Sequence, residues 1–180
     1  MLNPPLNLSE IAATQIIDTL YDIFCRDFVR SRTLLAQKIY IDPRSHRKED
    51  GKELDFWHLT TREDKQKVWV NNRLEWQSTG RYPDLKRAAR LEWVKQILLH
   101  HNHSDIRMFY HQESNAKKDV RLYLWAHNHD FVVILQKLGK SSSFLVTSFY
   151  IDHEGKKVDY EKRYQFFIAN PNTFNGFLWF

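Results

Sequence analysis

The feature that most constrains this chain is a series of four short segments between residues 106 and 151 that are rich in β-branched and aromatic residues. They predict strands at 106–110, 120–126, 131–137 and 143–151. The connections His127 to Asp130 and Gly139 to Ser142 are short and polar, so successive strands are expected to pair as antiparallel neighbours. Every residue of 131–135 is apolar, which predicts a central strand covered on both faces.

Helical patterns precede these strands. Ser9 is a predicted N-cap of an amphipathic helix that extends to about Val29, and a second helix is predicted over 84–101, with Pro83 and Asp84 at its start. Between them, 38–41 and 56–60 are predicted as short extended segments and 44–53 as a mobile polar loop, whereas 61–83 gives no clear prediction. Helices followed by antiparallel strands predict an α+β fold in which N-terminal helices pack on an antiparallel, roughly four-stranded β-meander.

The length of 180 residues suits one domain with a substantial core. We expect a single domain composed of an N-terminal helix and extension (1–55), a core (56–164) and an aromatic tail (165–180). No apolar run is long enough to span a membrane, so no membrane partner is expected. The chain begins without a recognisable export signal, and its single cysteine, Cys25, excludes an intramolecular disulfide. The expected location is therefore cytoplasmic.

The positive charge of the chain is concentrated in its middle third. The formal net charge is +5, and Lys and Arg exceed Asp and Glu by that same number over residues 61–125 alone. A localised basic excess is typical of a face that binds phosphate groups, as in nucleic acids. A solubilising surface would have the same composition.

Several motifs that would carry other chemistry are absent. The strings at 101–103 and 127–129 spell His-Asn-His, but no accompanying Cys or His completes a metal site, so neither a metal nor a cofactor is expected. Glycine is too scarce for a phosphate-binding loop, and no Gly-x-Ser-x-Gly sequence occurs. Nucleotide-driven chemistry and hydrolysis by a Ser or Cys nucleophile are therefore not expected.

The predicted helix at 84–101 carries a basic surface. Arg87 and Arg90 are three residues apart and would be neighbours on one face, with Lys86 and Arg81 near the helix start. Two arginines at that spacing can bind phosphate oxygens through their planar guanidinium groups. The alternative interpretation is an ordinary solvated helix face.

The predicted strand at 120–126 alternates Arg121, Tyr123 and Trp125 on one face. Such a face offers a cation and two aromatic rings on which an unpaired base can stack. The alternative is a sheet rim in which the arginine packs on the tryptophan.

His58 and Thr147 are the remaining candidates. His58 lies at an apolar–polar junction that ends at Arg62, and an imidazole there can act as a general base or acid. Thr147 interrupts an apolar strand, so its hydroxyl must find a partner in the core or line a cleft. A structural role is the alternative for both residues.

Several short segments resemble the phage- and plasmid-borne nucleases of the barnase/EndoU/colicin/RelE-like (BECR) group. The Trp57-His58-Leu59 sequence resembles the His-aliphatic motif that precedes the basic helix in such proteins. The other similar segments are KRAARLEW at 86–93, RLYLW at 121–125, DFVVIL at 130–135, FLVTSFYID at 144–152 and YEKRY at 160–164. The resemblance covers residues 56–164 and makes this part a nuclease-like core.

The resemblance implies a metal-independent endoribonuclease in which the 2′-OH of RNA is the nucleophile and a 2′,3′-cyclic phosphate is the product. His58 then acts as base or acid, Arg87 and Arg90 hold the phosphate, Arg121 stabilises the transition state and Thr147 orients the phosphate. Residues expected to bind the nucleic acid are Arg62, Arg81, Lys86, Tyr123 and Trp125. A toxin role, with an inhibitor or antitoxin protein as partner, stays open. So do a non-catalytic nucleic-acid-binding module and a protein-interaction module that docks through the aromatic tail.

Overall fold

A six-stranded sheet lies at the centre of the computed structural model, which describes all residues from Met1 to Phe180. The strands are β1 (Leu34–Leu35), β2 (Ile39–Ile41), β3 (Lys48–Glu49), β4 (Lys52–Glu53), β5 (Thr61–Val70), β6 (Arg73–Pro83), β7 (Ile106–Gln112), β8 (Val120–Ala126), β9 (Phe131–Lys137) and β10 (Ser142–Tyr150). The helices are α1 (Ile16–Phe24), α2 (Leu54–Thr60), α3 (Leu85–Ala88), α4 (Leu91–Leu99) and α5 (Glu154–Ala169).

The large sheet has the strand order β1-β2-β10-β9-β8-β7. Antiparallel pairs join β7 to β8, β8 to β9 and β9 to β10, whereas β2 runs parallel to β10. The fold is therefore mixed α+β as expected, but its sheet has six strands rather than four. The two additional strands come from the N-terminal region, where only one short strand was predicted.

Both faces of the central strand β9 are covered, as its continuous apolar sequence predicts. Phe131, Val133 and Leu135 belong to the main core beneath α1, α2 and α4, whereas Val132 and Ile134 belong to a second core. The exposed fraction of these five residues is 5% or less. The second core is closed by Tyr160 of α5, a helix that the sequence interpretation did not predict.

The first helix begins later than predicted. Ser9 lies in a short 3₁₀ turn, Leu8–Glu10, and its hydroxyl donates to the Asn7 side chain instead of capping a helix. The α-helix starts at Ile16 and continues into a π-helical turn at Cys25–Val29.

The predicted single helix over 84–101 is two helices, α3 and α4. Asp84 caps α3 by accepting a hydrogen bond from the backbone N–H of Arg87 at 3.1 Å. The Ala89 carbonyl accepts the Leu6 N–H at 2.7 Å, so the N-terminal segment takes a group that a continuous helix would use internally. Because of this break, the basic residues on its two sides do not share one continuous helix face.

Residues 54–60 form the helix α2, which corrects the prediction of an extended segment at 56–60. Phe56 and Leu59, three positions apart, are both fully buried, and Phe56 packs against Tyr21 and Phe24 of α1. A pair of apolar residues at this spacing fits one turn of helix, but a five-residue window is too short to distinguish it from a strand.

The region without a clear prediction, 61–83, forms a long antiparallel ribbon of β5 and β6. Asn71 and Asn72 make its two-residue turn with φ of 48° and 61°, the positive values that a type I′ turn requires. Near its base, Thr79 is an extra residue between the pairs Asp64–Gly80 and Lys65–Ser78. Gly80 adopts φ of +134° at this bulge, a conformation that favours glycine.

The C-terminal tail folds back on the main core. Phe174 and Trp179 are buried, and the backbone N–H of Trp179 donates to the Tyr110 hydroxyl at 2.9 Å. None of the helices is both long and apolar enough to cross a membrane.

Candidate functional site

A cavity of about 240 Å³ lies where α2, α3, β10 and the base of the β5–β6 ribbon meet. Five of the ten residues predicted to form the site line it, although they are distant in sequence. The lining residues are His58, Thr61, Arg62, Glu63, Arg81, Arg87, Val146 and Thr147. His58 is the only histidine among them. We call this space the His58 cavity.

The end of α2 is held in place by side chains from two other elements, α3 and β10. The His58 carbonyl accepts hydrogen bonds from Arg87 Nη1 at 2.9 Å and from the Thr147 hydroxyl at 3.3 Å. The same Arg87 nitrogen donates to the Thr61 carbonyl at 2.8 Å. Since the last carbonyls of a helix have no partner within it, these donors satisfy them and fix the position of His58.

Thr147 reaches α2 because β10 has a bulge. In the pairing with β9, Leu145 lies opposite Leu135 and Thr147 opposite Ile134, which leaves Val146 as an extra residue. A bulge bends its strand and redirects the side chains that follow it. Val146 and Thr147 both line the His58 cavity as a result.

His58 is neutral at physiological pH. Burial, and after it the nearby positive charges of Arg81, Arg44 and Arg47, lower the pKa of its imidazole to about 4, against a weaker opposing effect of Glu63. A neutral imidazole can accept a proton, so its protonation state is that of a general base.

The arginines of the His58 cavity differ in their burial and in the hydrogen bonds and ion pairs that they already make. Arg87 is mostly buried, and one of its nitrogens is used by two backbone carbonyls. Arg62 has a side chain that is 66% exposed and forms only a long, exposed ion pair with Asp64, at 3.7 Å. Arg81 donates only to the Thr61 hydroxyl, at 3.3 Å. Arg62 and Arg81 are therefore the cations best placed to bind an added phosphate, whereas Arg87 positions α2.

Lys86 and Arg90 lie outside the His58 cavity. Lys86 lines an adjoining cleft of about 310 Å³ that also contains Arg62 and Tyr150. The Arg90 guanidinium lies over the rings of Tyr150 and Trp93, at 4.7 and 5.1 Å from their centroids, and donates to the Lys86 carbonyl. The break between α3 and α4 separates Arg90 from Arg87, so the predicted pair of adjacent phosphate-binding arginines does not form.

Arg121 and its neighbours on β8 are not part of the His58 cavity. Arg121 donates to Gln136 at 3.2 Å and faces Glu113 at 3.8 Å, two strands away from β10. Tyr123 and Trp125 are only 2% and 1% exposed, because Tyr160 of α5 packs over both rings. This corrects the predicted role of the β8 face, since no base can stack on rings that a helix covers.

The sequence interpretation missed two arginines that act on His58 through their charge. Arg44 is 7% exposed, forms an ion pair with the fully buried Asp55 and lies 3.8 Å from the centroid of the Phe144 ring. Arg47 is exposed, and both belong to the segment predicted as a mobile loop. The only sequence feature that could have indicated a buried Arg44 is its later ion-pair partner, Asp55, eleven residues further along the chain.

The two His-Asn-His strings occupy a turn after α4 and a 3₁₀ turn between β8 and β9. Nowhere in the structure do three or more His, Cys, Asp or Glu side chains come together as metal ligands would. Cys25 is half-buried in the π-helical turn.

No family model matches this chain, and neither does any curated protein or solved structure. The resemblance to BECR nucleases therefore rests on the short sequence motifs alone.

Proposed function

We propose that this protein is a metal-independent endoribonuclease whose active site is the His58 cavity. The observation that carries the proposal is the convergence of one neutral histidine, two accessible arginines and a positioning Arg–Thr pair in a single open cavity. RNA supplies its own nucleophile, so a base and fixed positive charge are enough for cleavage.

His58 is the general base in this mechanism. Its imidazole accepts the proton of the ribose 2′-OH while the 2′ oxygen forms a bond to phosphorus. The bond from phosphorus to the 5′ oxygen breaks, which gives a 2′,3′-cyclic phosphate and a 5′-OH end. Because no second histidine lines the cavity, the departing oxygen takes its proton from water.

Arg62 and Arg81 bind the non-bridging oxygens of the phosphate, whose negative charge increases in the transition state. Thr147 and Arg87 hold the His58 carbonyl and thereby fix the imidazole relative to these arginines. Their hydrogen bonds to the backbone make them positioning residues and not direct phosphate ligands.

The test is incubation of the purified chain with an RNA oligonucleotide in EDTA, followed by analysis of the product ends. We expect cleavage with 2′,3′-cyclic phosphate ends, and none when the nucleotide before the scissile bond is 2′-deoxy. His58→Ala should lower the rate by about 10²–10⁴-fold and leave RNA affinity within a few-fold.

His111→Ala is the matched control, because burial and the charge of Arg163 also lower the pKa of this histidine, on β7. Equal rates for wild type and His58→Ala, or activity that requires an added divalent ion, would contradict the proposal. Growth arrest on expression, relieved by a neighbouring gene, would extend it to a toxin with a cognate inhibitor.

A further inference from the structure

The β5–β6 ribbon extends from the His58 cavity with its side chains sorted between two faces. Residues directly opposite each other in an antiparallel pair share a face, and faces alternate along each strand. The register places Lys65 opposite Ser78, Lys67 opposite Trp76 and Trp69 opposite Leu74. We call this set the Trp–Lys face. The opposite set is the Val–Gln face, formed by Gln66, Val68, Val70, Arg73, Glu75 and Gln77.

The apolar side chains of the Trp–Lys face are uncovered. Trp69 is 75% exposed, Trp76 64% and Leu74 48%, and no other part of the chain packs on them. Tryptophan is one of the more deeply buried residues on average, so two exposed rings on one side of a ribbon indicate a surface that binds something.

The charge of the two faces differs. On the Trp–Lys face, Lys67 has no carboxylate partner and its ammonium lies 5.1 Å from the centroid of the Trp76 ring. Lys65 pairs with Glu63 at 3.1 Å, toward the base of the ribbon. On the Val–Gln face, the positive charge of Arg73 is balanced by the negative charge of Glu75. Aromatic rings with lysine on one face alone match a ligand that has flat, stackable groups and a negative backbone.

The Trp–Lys face is continuous with the His58 cavity. Along β5, Thr61 and Glu63 lie on the same face as Lys65, and both line the cavity together with Arg81, the cross-strand partner of Glu63. A ten-residue strand spans about 33 Å, so a ligand bound along this face would lead from the hairpin tip to His58.

We propose that the Trp–Lys face binds single-stranded RNA and guides it into the His58 cavity, an inference that rests on the proposed function. Bases stack on Trp69 and Trp76, and the backbone phosphates meet Lys67 and then Arg81. Stacking on aromatic rings tolerates any base but requires unpaired ones, so the substrate is a single strand of mixed sequence rather than a duplex.

The experiment measures binding of a labelled single-stranded oligoribonucleotide of about 16 nucleotides, made uncleavable by 2′-deoxy substitution, by fluorescence anisotropy over a series of salt concentrations. Trp69→Ala and Trp76→Ala should each weaken binding about tenfold. Lys67→Gln should lower the slope of log affinity against log salt by about 0.7. Val68→Ala and Arg73→Gln, on the Val–Gln face, should change the affinity less than about twofold, and a duplex of the same sequence should bind more weakly.

Cleavage of an all-ribose strand by the same variants separates this inference from the proposed function. Normal cleavage and affinity in the tryptophan variants would overturn the guiding role and leave the nuclease intact. Tryptophan-dependent binding by a wild type that does not cleave would support the ribbon as an RNA-binding arm and refute the nuclease. Tryptophan-dependent self-association or capture of another protein, without RNA binding, would overturn the inference. Melting temperatures should match wild type, since these side chains contact no core.

Discussion

Replacement of His58 by glutamine is expected to make the protein more resistant to acid. The imidazole has a pKa of about 4 in the folded chain, because of its burial and of Arg81, Arg44 and Arg47, against about 6.5 when unfolded. The folded pKa is the lower one, so the unfolded chain takes up the proton first. The contribution of neutral His58 to the free energy of unfolding is therefore fully present above pH 6.5 and is lost as the pH falls toward 4.

The size of the effect follows from this difference. At pH 5 a shift from 6.5 to about 4 corresponds to about 2 kcal/mol in the free energy of unfolding. Because the ring is partly open to the cavity, solvent screens it, and we expect about 1 kcal/mol. His58→Gln removes this loss while keeping a side chain of similar size.

The assay is urea unfolding of wild type and His58→Gln at pH 7.5 and pH 5, followed by tryptophan fluorescence. The stability of the variant relative to wild type should rise by about 1 kcal/mol between the two pH values. His100→Gln, which removes an exposed histidine at the end of α4, controls for the loss of an imidazole. A relative stability that stays constant with pH would refute the conclusion that His58 is held neutral by burial and by its arginines.

Three further outcomes follow from the geometry of the site. The acid limb of kcat/KM for RNA cleavage, measured from pH 4 to pH 8, should lie well below 6.5 in wild type, since that limb reports the pKa of the base in the free enzyme. Arg87→Ala should cost about 2–3 kcal/mol of stability in urea unfolding, because the Thr61 carbonyl loses its side-chain donor and the His58 carbonyl loses one of its two, and Arg87→Lys should recover part of it. Arg121→Gln should leave the cleavage rate within about twofold of wild type, because Arg121 contacts Gln136 and Glu113 away from the cavity; a loss of about 10²-fold would show that it acts on the phosphate.

The four antiparallel strands β7 to β10 of the large sheet could be predicted from the sequence, because each carries its pattern of β-branched and aromatic residues within seven to nine consecutive positions. β8 and β9 have the predicted bounds, and β7 and β10 differ from them by at most two residues. The ribbon could not be predicted in this way, since it buries neither face and so has no apolar alternation. The one short-range feature of its sequence that indicates a hairpin is the Asn71-Asn72 pair at the turn.

The candidate site could be predicted only as a set of residue types. Sequence separates His58 from Arg87 by 29 positions and from Thr147 by 89, and no periodicity relates elements that distant. Alternation along β8 correctly put Tyr123 and Trp125 on one face, but it could not show that this face is covered. The covering helix α5 mixes charged and apolar residues around its circumference, so its own sequence gives little sign of a buried side.

The arrangement of charge in the His58 cavity connects RNA binding with the chemistry that we propose. Burial and three arginine charges keep His58 neutral, and the carboxylate of Glu63 opposes them only weakly. A phosphate bound between Arg62 and Arg81 would neutralise part of that field and so raise the pKa of His58 toward its ordinary value. The imidazole would then be a weak base in the free protein and a stronger one once the scissile phosphate is in place. Because linkage is reciprocal, the same coupling requires RNA to bind more tightly when His58 is protonated.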